Sequence, residues 1–459
     1  MQAVINYLKR HQARFVDELC AYLRFPSVSA QAQHRGDLQQ CAEWITNHCR
    51  QIGLQARLCP TAGSPVVVAT TRGRHSSSRD RRSHFLVYGH YDVQPPEPFE
   101  LWKSPPFEPR IAGRSLFARG SADNKGQHMA HVNAVEAYLK TRTPLPCDIT
   151  FVIEGEEEVG SKSLGTFLRE HRDELECDAV VISDTGMPDL EHPALTYSLR
   201  GIAAFEIILR GPSRDLHSGI FGGSLDNPAM ALCQLLAKLR DRNGRVAIPG
   251  FYDDVQPLSA YERKQFARLP FTVRQYRELL GVPALFGEKG YTPFEQRSGR
   301  PTFEINGLTS GYQGEGSKTI VPAWARAKIT TRLVPNQRPA RIIQLVSKYL
   351  KKLCPPTVRM EIEAGHGADP YLVSPTSAEA RAALRALKAA FGHDPVLMRE
   401  GGSIPIVNEF KKVLKADTLL LGLALPDDDP HAPNEKFNLD CFQKGQFMSA
   451  HLWRELAQR

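Results

Sequence analysis

Apolar positions in the first 196 residues follow two patterns that alternate along the chain. Short, nearly continuous apolar runs rich in Val, Ile and Leu predict buried strands, and apolar residues at helical spacing predict helices between them. This alternation favours an α/β fold with a mainly parallel sheet. The predicted strands cover 65–70, 84–88, 148–153 and 179–182, and the predicted helices cover the start of the chain up to Pro26, 38–52, 126–140 and 161–172.

The pattern changes in the middle of the chain and returns near the end. Alternating strands and amphipathic helices there predict an α+β insertion whose sheet has one covered face. The stretch 251–316 is rich in Pro and Gly with weak periodicity, so we expect long loops. We therefore predict a discontinuous first domain, 1–196 with 374–459, and an inserted domain, 197–373. The predicted elements after residue 196 are strands at 197–210, 324–334, 357–363 and 418–423 and helices at 227–241, 339–353 and 377–391.

The composition is that of an ordinary globular protein, with 459 residues of which 42% are hydrophobic and 24% charged. No apolar run approaches the ~18 residues that a membrane-spanning helix needs, and the start lacks the apolar core of a signal peptide. The nine Cys residues are scattered without a CxxC pair, which favours reduced thiols over a disulfide framework. We therefore expect a cytoplasmic protein without a membrane partner.

The formal net charge of +8 raises the question of nucleic-acid binding. The basic residues are dispersed, and the densest run, at 72–82, has the composition of an exposed loop. A nucleic-acid surface would need a basic stripe with interleaved aromatic residues, and the sequence contains none. We therefore expect no nucleic-acid partner, although the charge would mildly favour anionic substrates.

Five stretches that follow predicted strands carry acidic or imidazole side chains. Carboxylate oxygen and imidazole nitrogen are ligands that zinc prefers at catalytic sites. Together the stretches offer two His residues and three or four carboxylates, which is enough for two metal ions that share one bridging carboxylate. They are 89–92 (Gly-His-Tyr-Asp), 120–126 (Gly-Ser-Ala-Asp-Asn-Lys-Gly), 156–161 (Glu-Glu-Glu-Val-Gly-Ser), 183–184 (Ser-Asp) and 430–431 (Pro-His).

Each stretch also has an ordinary structural explanation when it is taken alone. His90 and Asp92 fit a turn with a capping carboxylate, and Asp123 fits the N-cap of the helix that follows it. The acids at 156–158 fit a solvated turn, although adjacent like charges are costly unless a positive group lies near them. A loop residue such as His431 is usually part of a polar surface. The occurrence of all five stretches in this order favours the metal site.

The same residues belong to a longer series of motifs that covers nearly the whole chain. In order, the motifs are His-x-Asp, Gly-Ser-x-Asp-x-Lys-Gly, Glu-Glu-x-Gly-Ser, Ser-Asp, Leu-His-Ser-Gly (216–219), Arg-Leu-Val-Pro-Asn (332–336), Arg-Glu-Gly-Gly-Ser-Ile-Pro (399–405) and His-x-x-Asn-Glu (431–435). This series resembles the M20 family of zinc metallopeptidases, and within it the branch of the cytosolic non-specific dipeptidases and carnosinases. The resemblance runs from about Phe25 to the C-terminus.

The resemblance implies a fold and a metal centre. It implies an α/β catalytic domain and an inserted α+β lid and dimerisation domain. His90 and Asp184 would hold one Zn²⁺, and Glu158 and His431 would hold the other. Asp123 would bridge the two ions, with a cis peptide bond after it. We therefore expect two Zn²⁺ per subunit, with Mn²⁺ or Co²⁺ as alternatives.

The resemblance also implies three catalytic residues. Glu157 would be the general base, and Asp92 would orient a metal-binding His. A shift of the alignment by one residue within 156–158 would exchange the roles of these acids. His217 would stabilise the oxyanion from the neighbouring subunit, so that a homodimer through the inserted domain completes the site. Taken alone, His217 fits a polar surface residue in a Gly-rich loop.

Four further residues are implied as substrate contacts: Arg332, Thr319, Ser403 and His366. The guanidinium of Arg332 suits a two-pronged contact with a free C-terminal carboxylate, which the hydroxyl of Ser403 would also bind. An ordinary surface ion pair for Arg332 and a simple turn for Ser403 stay open as alternatives.

These residues lead us to expect a dinuclear zinc hydrolase that cleaves dipeptides with a free C-terminal carboxylate. An N-acyl amino acid deacylase or a desuccinylase is the alternative, because the same metal site and the same Arg332 would serve it. A zinc-binding protein without catalysis is disfavoured, since a purely structural site needs no spare base such as Glu157.

Overall fold

The computed structural model describes residues 1–72, 82–402 and 404–458, which form two large sheets covered by helices and two small sheets of three and two strands. The helices are α1 (Gln2–Arg10), α2 (Gln12–Leu23), α3 (Arg35–Ile52), α4 (Gly126–Lys140), α5 (Leu164–Glu170), α6 (Arg172–Leu175), α7 (Ser218–Phe221), α8 (Pro228–Ala237), α9 (Ala260–Phe266), α10 (Val273–Leu280), α11 (Pro293–Gly299), α12 (Pro339–Leu353), α13 (Ala378–Phe391), α14 (Ile406–Val413) and α15 (Leu439–Ala457). The strands are β1 (Gln55–Cys59), β2 (Val66–Thr70), β3 (His84–His90), β4 (Arg110–Ala112), β5 (Ser115–Phe117), β6 (Asp148–Glu154), β7 (Ala179–Ile182), β8 (Ala194–Leu199), β9 (Gly201–Arg210), β10 (Leu216–His217), β11 (Thr302–Ser310), β12 (Ile320–Val321), β13 (Trp324–Leu333), β14 (Arg359–Ala368), β15 (Tyr371–Leu372), β16 (Val396–Glu400), β17 (Asp417–Gly422) and β18 (Lys436–Asn438).

Nine strands form the larger sheet, in the order β1-β2-β6-β3-β7-β17-β8-β15, with β16 paired to β8. Its four central strands, β6, β3, β7 and β17, are parallel to one another. Every residue of β3 and β7 is buried, which explains their nearly continuous apolar sequences. The expected α/β class with a mainly parallel central sheet is confirmed.

The central strands end at one edge of this sheet. Strand β3 lies between β6 and β7, and its register places His90 beside Glu154 and Tyr88 beside Ile182. In sheets of this kind, side chains that follow the carboxyl ends of the strands converge in one crevice. The chain segments that follow β3, β6 and β7 carry three of the five candidate stretches.

Helix α4 begins directly after the Asp123 stretch and is almost wholly buried. It packs against α1, α3, α15 and β3. Its buried residues include small side chains at helical spacing along one face, Ala130, Ala134 and Ala137, and also polar ones such as His131 and Glu136. This packing fixes the loop that precedes α4.

Four antiparallel strands form a second sheet, in the order β11-β13-β9-β14, with α8 and α12 packed against it. Side chains of β9 alternate between buried and half-buried, which is the pattern of a sheet with one covered face. Residues from Ala203 to Val358 form a hydrophobic cluster here, whereas the larger cluster draws on residues up to Leu199 and from Tyr371 onward. The predicted domain limits, 1–196 with 374–459 and 197–373, stay a prediction.

Two expectations about this middle region are wrong. The stretch 251–316 is not only loops, because it contains α9, α10, α11 and the whole of β11. The expected single strand at 197–210 is divided at Arg200, so that β8 belongs to the larger sheet and β9 to the smaller. The basic run at 72–82 lies almost entirely outside the described residues. No helix in the described part of the chain combines the length and the apolar character needed to cross a membrane.

Candidate metal centre

Three candidate ligands follow adjacent parallel strands. His90 is the last residue of β3, Glu158 follows the end of β6, and Asp184 follows the end of β7. The other two come from loops: Asp123 precedes α4, and His431 precedes β18. All five side chains meet at the carboxyl edge of the larger sheet, where they form two groups that share Asp123.

We call the first group the His90 cluster; it consists of His90, Asp123 and Asp184. Nε2 of His90 lies 3.1 Å from Oδ1 of Asp123 and 3.8 Å from Oδ2 of Asp184. The side-chain amide of Asn124 donates a hydrogen bond of 2.9 Å to Oδ1 of Asp184. The Asp123–Asn124 peptide bond is cis, as the resemblance implied.

The second group, the His431 cluster, consists of Asp123, Glu158 and His431. Nε2 of His431 lies 2.8 Å from Oδ2 of Asp123 and 3.5 Å from Oε2 of Glu158. Gln94, which belongs to no motif recognised in the sequence, donates a hydrogen bond of 2.8 Å to the same Glu158 oxygen. The imidazole of His431 is 55% exposed, so the centre is open to solvent on this side.

Asp92 is fully buried behind both clusters. Its carboxylate accepts the backbone N–H groups of Glu157, at 3.2 Å, and Glu158, at 3.1 Å. Nδ1 of His90 lies 3.0 Å from the Asp92 carbonyl oxygen and 3.4 Å from its carboxylate. One side chain therefore orients the His at the end of β3 and the turn of acids after β6.

The three adjacent acids have different surroundings. Glu156 accepts a hydrogen bond of 3.1 Å from the backbone N–H of Ser163, so it serves the local turn. Glu158 belongs to the His431 cluster. The half-buried Glu157 has no hydrogen-bond partner for its carboxylate among the described residues. Burial raises the pKa of Glu157 above its usual range, and the carboxylate of Asp184 adds to the effect.

Negative charge is concentrated at this edge. Burial raises the pKa of Glu158 to about 8, with a further contribution from Asp123. The hydrogen bond with Asp123 raises the pKa of His431 to about 9. Burial opposes ionisation of Asp123, but the hydrogen bond with His431 and the nearby imidazole of His90 hold its pKa below the usual range. Several carboxylates packed together attract cations, because a nearby positive charge stabilises the ionised form of each one.

The donor set fits divalent metal ions. Imidazole nitrogens and carboxylate oxygens are their usual protein ligands, and a shared carboxylate suits a pair of ions. Nε2 of His90 and Oε1 of Glu158 are buried without a hydrogen-bond partner in the described part of the chain. Such atoms are costly unless something satisfies them, and a bound cation would do so.

The described residues among those predicted to contact substrate lie in the middle region, on the smaller sheet or at the separate two-stranded pair of β10 and β12. His217 and Thr319 are exposed side by side, since β10 pairs with β12 and the Thr319 carbonyl accepts the N–H of Ser218 at 3.0 Å. Arg332 is half-buried near the end of β13, and His366 is exposed on β14.

No hydrogen bond or ion pair between described residues joins His217 or His366 to the two clusters. The fourth predicted contact, Ser403, lies outside the described residues. The roles predicted for all these side chains remain predictions.

Comparison with known proteins places the chain in a family. The sequence profile of Peptidase family M20/M25/M40 matches residues 86–455. The chain is 30% identical to the Cys-Gly metallodipeptidase dug1 of Schizosaccharomyces pombe, over 100% of this chain and 98% of that protein. It is 28% identical to the human Beta-Ala-His dipeptidase, over 100% of this chain and 93% of that protein. The chain belongs to the M20/M25/M40 peptidase family.

A solved structure agrees with this placement. The M20 family metallo-carboxypeptidase Sso-CP2 from Sulfolobus solfataricus superposes with a TM-score of 0.84 at 30% identity, covering 97% of this chain and 99% of that one. The predicted family, fold class and enzyme class, an M20-type metallodipeptidase, are thereby confirmed, and the family implies the use of a divalent metal.

Proposed function

We propose that the chain is a dinuclear zinc dipeptidase that hydrolyses the peptide bond of dipeptides with a free C-terminal carboxylate. The observation that carries the proposal is the shared position of Asp123, which belongs to both ligand clusters. The relatives' names support the substrate class, because they are a Cys-Gly metallodipeptidase and a Beta-Ala-His dipeptidase. Mn²⁺ or Co²⁺ would fit the same ligands.

The chemistry that a bound pair of zinc ions supplies is Lewis acidity and a water of lowered pKa. Glu157 takes a proton from the attacking water as the water oxygen forms a bond to the peptide carbonyl carbon. The C–N bond then breaks, and Glu157 returns the proton to the leaving amine. Asp92 fixes the backbone at Glu157 and so holds this carboxylate beside the clusters.

Groups of the middle region, together with Ser403, would hold the substrate. Arg332 would pair with its terminal carboxylate, assisted by Thr319, Ser403 and His366. His217 would donate a hydrogen bond to the developing oxyanion. These roles rest on the resemblance, and the half-exposed or exposed positions of the described members leave them accessible to a ligand.

We infer that the working form is a homodimer assembled through the inserted domain. Ile220 and Phe221, three and four residues after His217, are 70% and 41% exposed. Large apolar side chains in such positions are typical of surfaces that another chain covers. A second copy would bring its His217 to the metal centre, with which His217 of the same chain forms no hydrogen bond or ion pair among the described residues. The cytoplasmic location and the absence of nucleic-acid partners stay predictions.

A carboxypeptidase is a second candidate, because the relative with the TM-score of 0.84 is named as one. Such an enzyme would also bind a terminal carboxylate through Arg332, but it would accept longer peptides and blocked amino termini. The acyl amino acid hydrolases differ from a dipeptidase in the same respect, since their substrates lack a free amine.

A substrate panel tests the proposal. Initial rates are measured with zinc-loaded protein on dipeptides, the same dipeptides with acetylated amines, tripeptides and N-acyl amino acids. We expect the free dipeptides to give the highest kcat/KM. Turnover of acetylated dipeptides or tripeptides without turnover of free dipeptides would identify a carboxypeptidase or an acyl hydrolase and would refute the proposal.

A further inference from the structure

Two buried charged side chains outside the ligand set lie directly behind the metal centre. Arg119 and Glu435 are each about 1% exposed, and Nη1 of Arg119 donates to Oε2 of Glu435 at 2.9 Å. Taking two charges out of water is costly unless further hydrogen bonds satisfy them. The surroundings of this pair therefore indicate what it holds in place.

Every acceptor position of the Glu435 carboxylate is used. Oε2 also accepts the backbone N–H of Gly120 at 2.8 Å. Oε1 accepts the N–H groups of Ala122, at 2.9 Å, and Asp123, at 3.0 Å. An ionised carboxylate accepts about four hydrogen bonds and donates none, so it matches these four donors. Glu435 thus shapes the turn that presents the shared ligand Asp123.

The other end of the pair holds the loop of His431. Nη2 of Arg119 donates to the carbonyl oxygens of His431, at 3.2 Å, and Pro95, at 3.3 Å. His431 has a φ of +66°, in the left-handed region that non-glycine residues rarely adopt. Such a conformation persists only where the surroundings hold it. The guanidinium contact supplies part of that support.

We propose that the Arg119–Glu435 pair is a positioning device for the metal centre, which holds Asp123 and His431 in register with each other. The pair joins two loops that are distant in sequence, because Arg119 and Glu435 are 316 residues apart. The inference rests on the proposed two-metal function. The pair contacts the backbone of two members of the His431 cluster, whereas only Asp123 links it to the His90 cluster. Loss of the pair will therefore weaken metal binding at the His431 cluster more than at the His90 cluster.

The variant Glu435→Gln tests this proposal. Its size is unchanged, but either orientation of the amide places an N–H group against two of the N–H donors. Metal-free protein is titrated with Co²⁺ and followed by visible absorption, and a His431→Ala variant supplies the spectrum of the His90 cluster alone. We expect wild type to bind two Co²⁺. Glu435→Gln should retain the first spectrum and bind the second ion about 10- to 100-fold more weakly, as is usual when a group behind a ligand is lost.

The chain offers a matched control. Glu288 forms another buried pair, accepting Nε and Nη2 of Arg300 at 2.8 and 2.7 Å, in the segment with α9 to α11. Glu288→Gln also breaks a buried Arg–Glu pair and should lower the melting temperature. It should leave both steps of the Co²⁺ titration unchanged, which separates positioning from general loss of stability.

The outcomes distinguish the two proposals. If wild type does not bind two Co²⁺ ions, the two-metal function is wrong and the inference fails with it. If wild type binds two and Glu435→Gln titrates like Glu288→Gln, the positioning role alone is wrong. If Glu435→Gln does not fold, Arg119→Lys replaces it in the test. This variant retains the positive charge but loses the second guanidinium nitrogen, which donates to the carbonyl oxygen of His431. The same selective loss is then expected, and an unchanged titration would overturn the inference.

Discussion

The two regions that carry predicted site residues differ in how completely the chain itself holds them. At the edge of the larger sheet, His90 and Asp92 are fully buried, and hydrogen bonds from neighbouring segments orient them. The middle region exposes His366 on the smaller sheet, His217 on β10 and Thr319 directly before β12. The difference teaches that the first region is arranged in advance for metal binding. The second presents exposed groups, and we propose that their partners come from outside the chain, as substrate or as a second copy.

The largest effect expected within the first region is that of Asp123→Ala. Because Asp123 belongs to both clusters, its loss should abolish binding of both metal ions and all dipeptidase activity. Metal content per chain, measured after dialysis against dilute Zn²⁺, gives the result. Glu156→Gln is the control, since its carboxylate serves the Ser163 turn, and it should retain both ions and most activity. Two bound ions in Asp123→Ala would show that the shared-ligand arrangement is wrong.

The next largest effect concerns chemistry without metal loss. Glu157→Gln should lower kcat by about 10²- to 10⁴-fold, the range typical of a lost general acid–base group. Its zinc content should equal that of wild type, because Glu157 belongs to neither ligand cluster. Rates and metal content are measured on the same preparation. Near-normal turnover with full zinc would assign the proton transfer to another group.

A smaller effect is expected on the side of the substrate. Arg332→Lys keeps the positive charge but loses the two-pronged geometry, so KM for dipeptides should rise about 10- to 100-fold, the equivalent of one charged hydrogen bond. Zinc content should not change, because Arg332 lies on β13 of the smaller sheet. An unaltered KM would exclude Arg332 from carboxylate recognition. It would also count against the assignment of metal binding to the first region and substrate binding to the second.

The fold could be predicted from the sequence where burial imposes a pattern. Helix α4 spans Gly126–Lys140, as its apolar pattern predicts, and β7 spans Ala179–Ile182. The helices within 251–316 are harder to predict because each has only seven or eight residues and burial imposes little pattern on them: α10 has no buried residue, and α9 has only Phe266. A different signal was present, since all three helices begin with a capping box. The paired residues are Ser259 with Glu262, Thr272 with Gln275 and Thr292 with Glu295.

The candidate site divides in the same way. Residues that follow strands, such as His90 and Asp184, could be placed together from the sequence, because parallel strands end at one edge. The Arg119–Glu435 pair could not, since no local pattern links two residues that are 316 positions apart. Glu435 stands in the His-x-x-Asn-Glu motif, but the motif alone does not reveal that its carboxylate receives three backbone N–H groups of the Asp123 turn.

The central claim is that one chain supplies all the metal ligands, while a second chain supplies His217 to the same active site. Mixing His217→Ala with Glu157→Gln protomers tests it most directly. Each mixed dimer would hold one site with Glu157 intact and His217 supplied by the partner, while its other site would lack both. With random exchange and independent sites, roughly a quarter of wild-type activity should return, although each parent is nearly inactive. A mixture that stays as inactive as its parents, after subunit exchange has been demonstrated, would contradict the account.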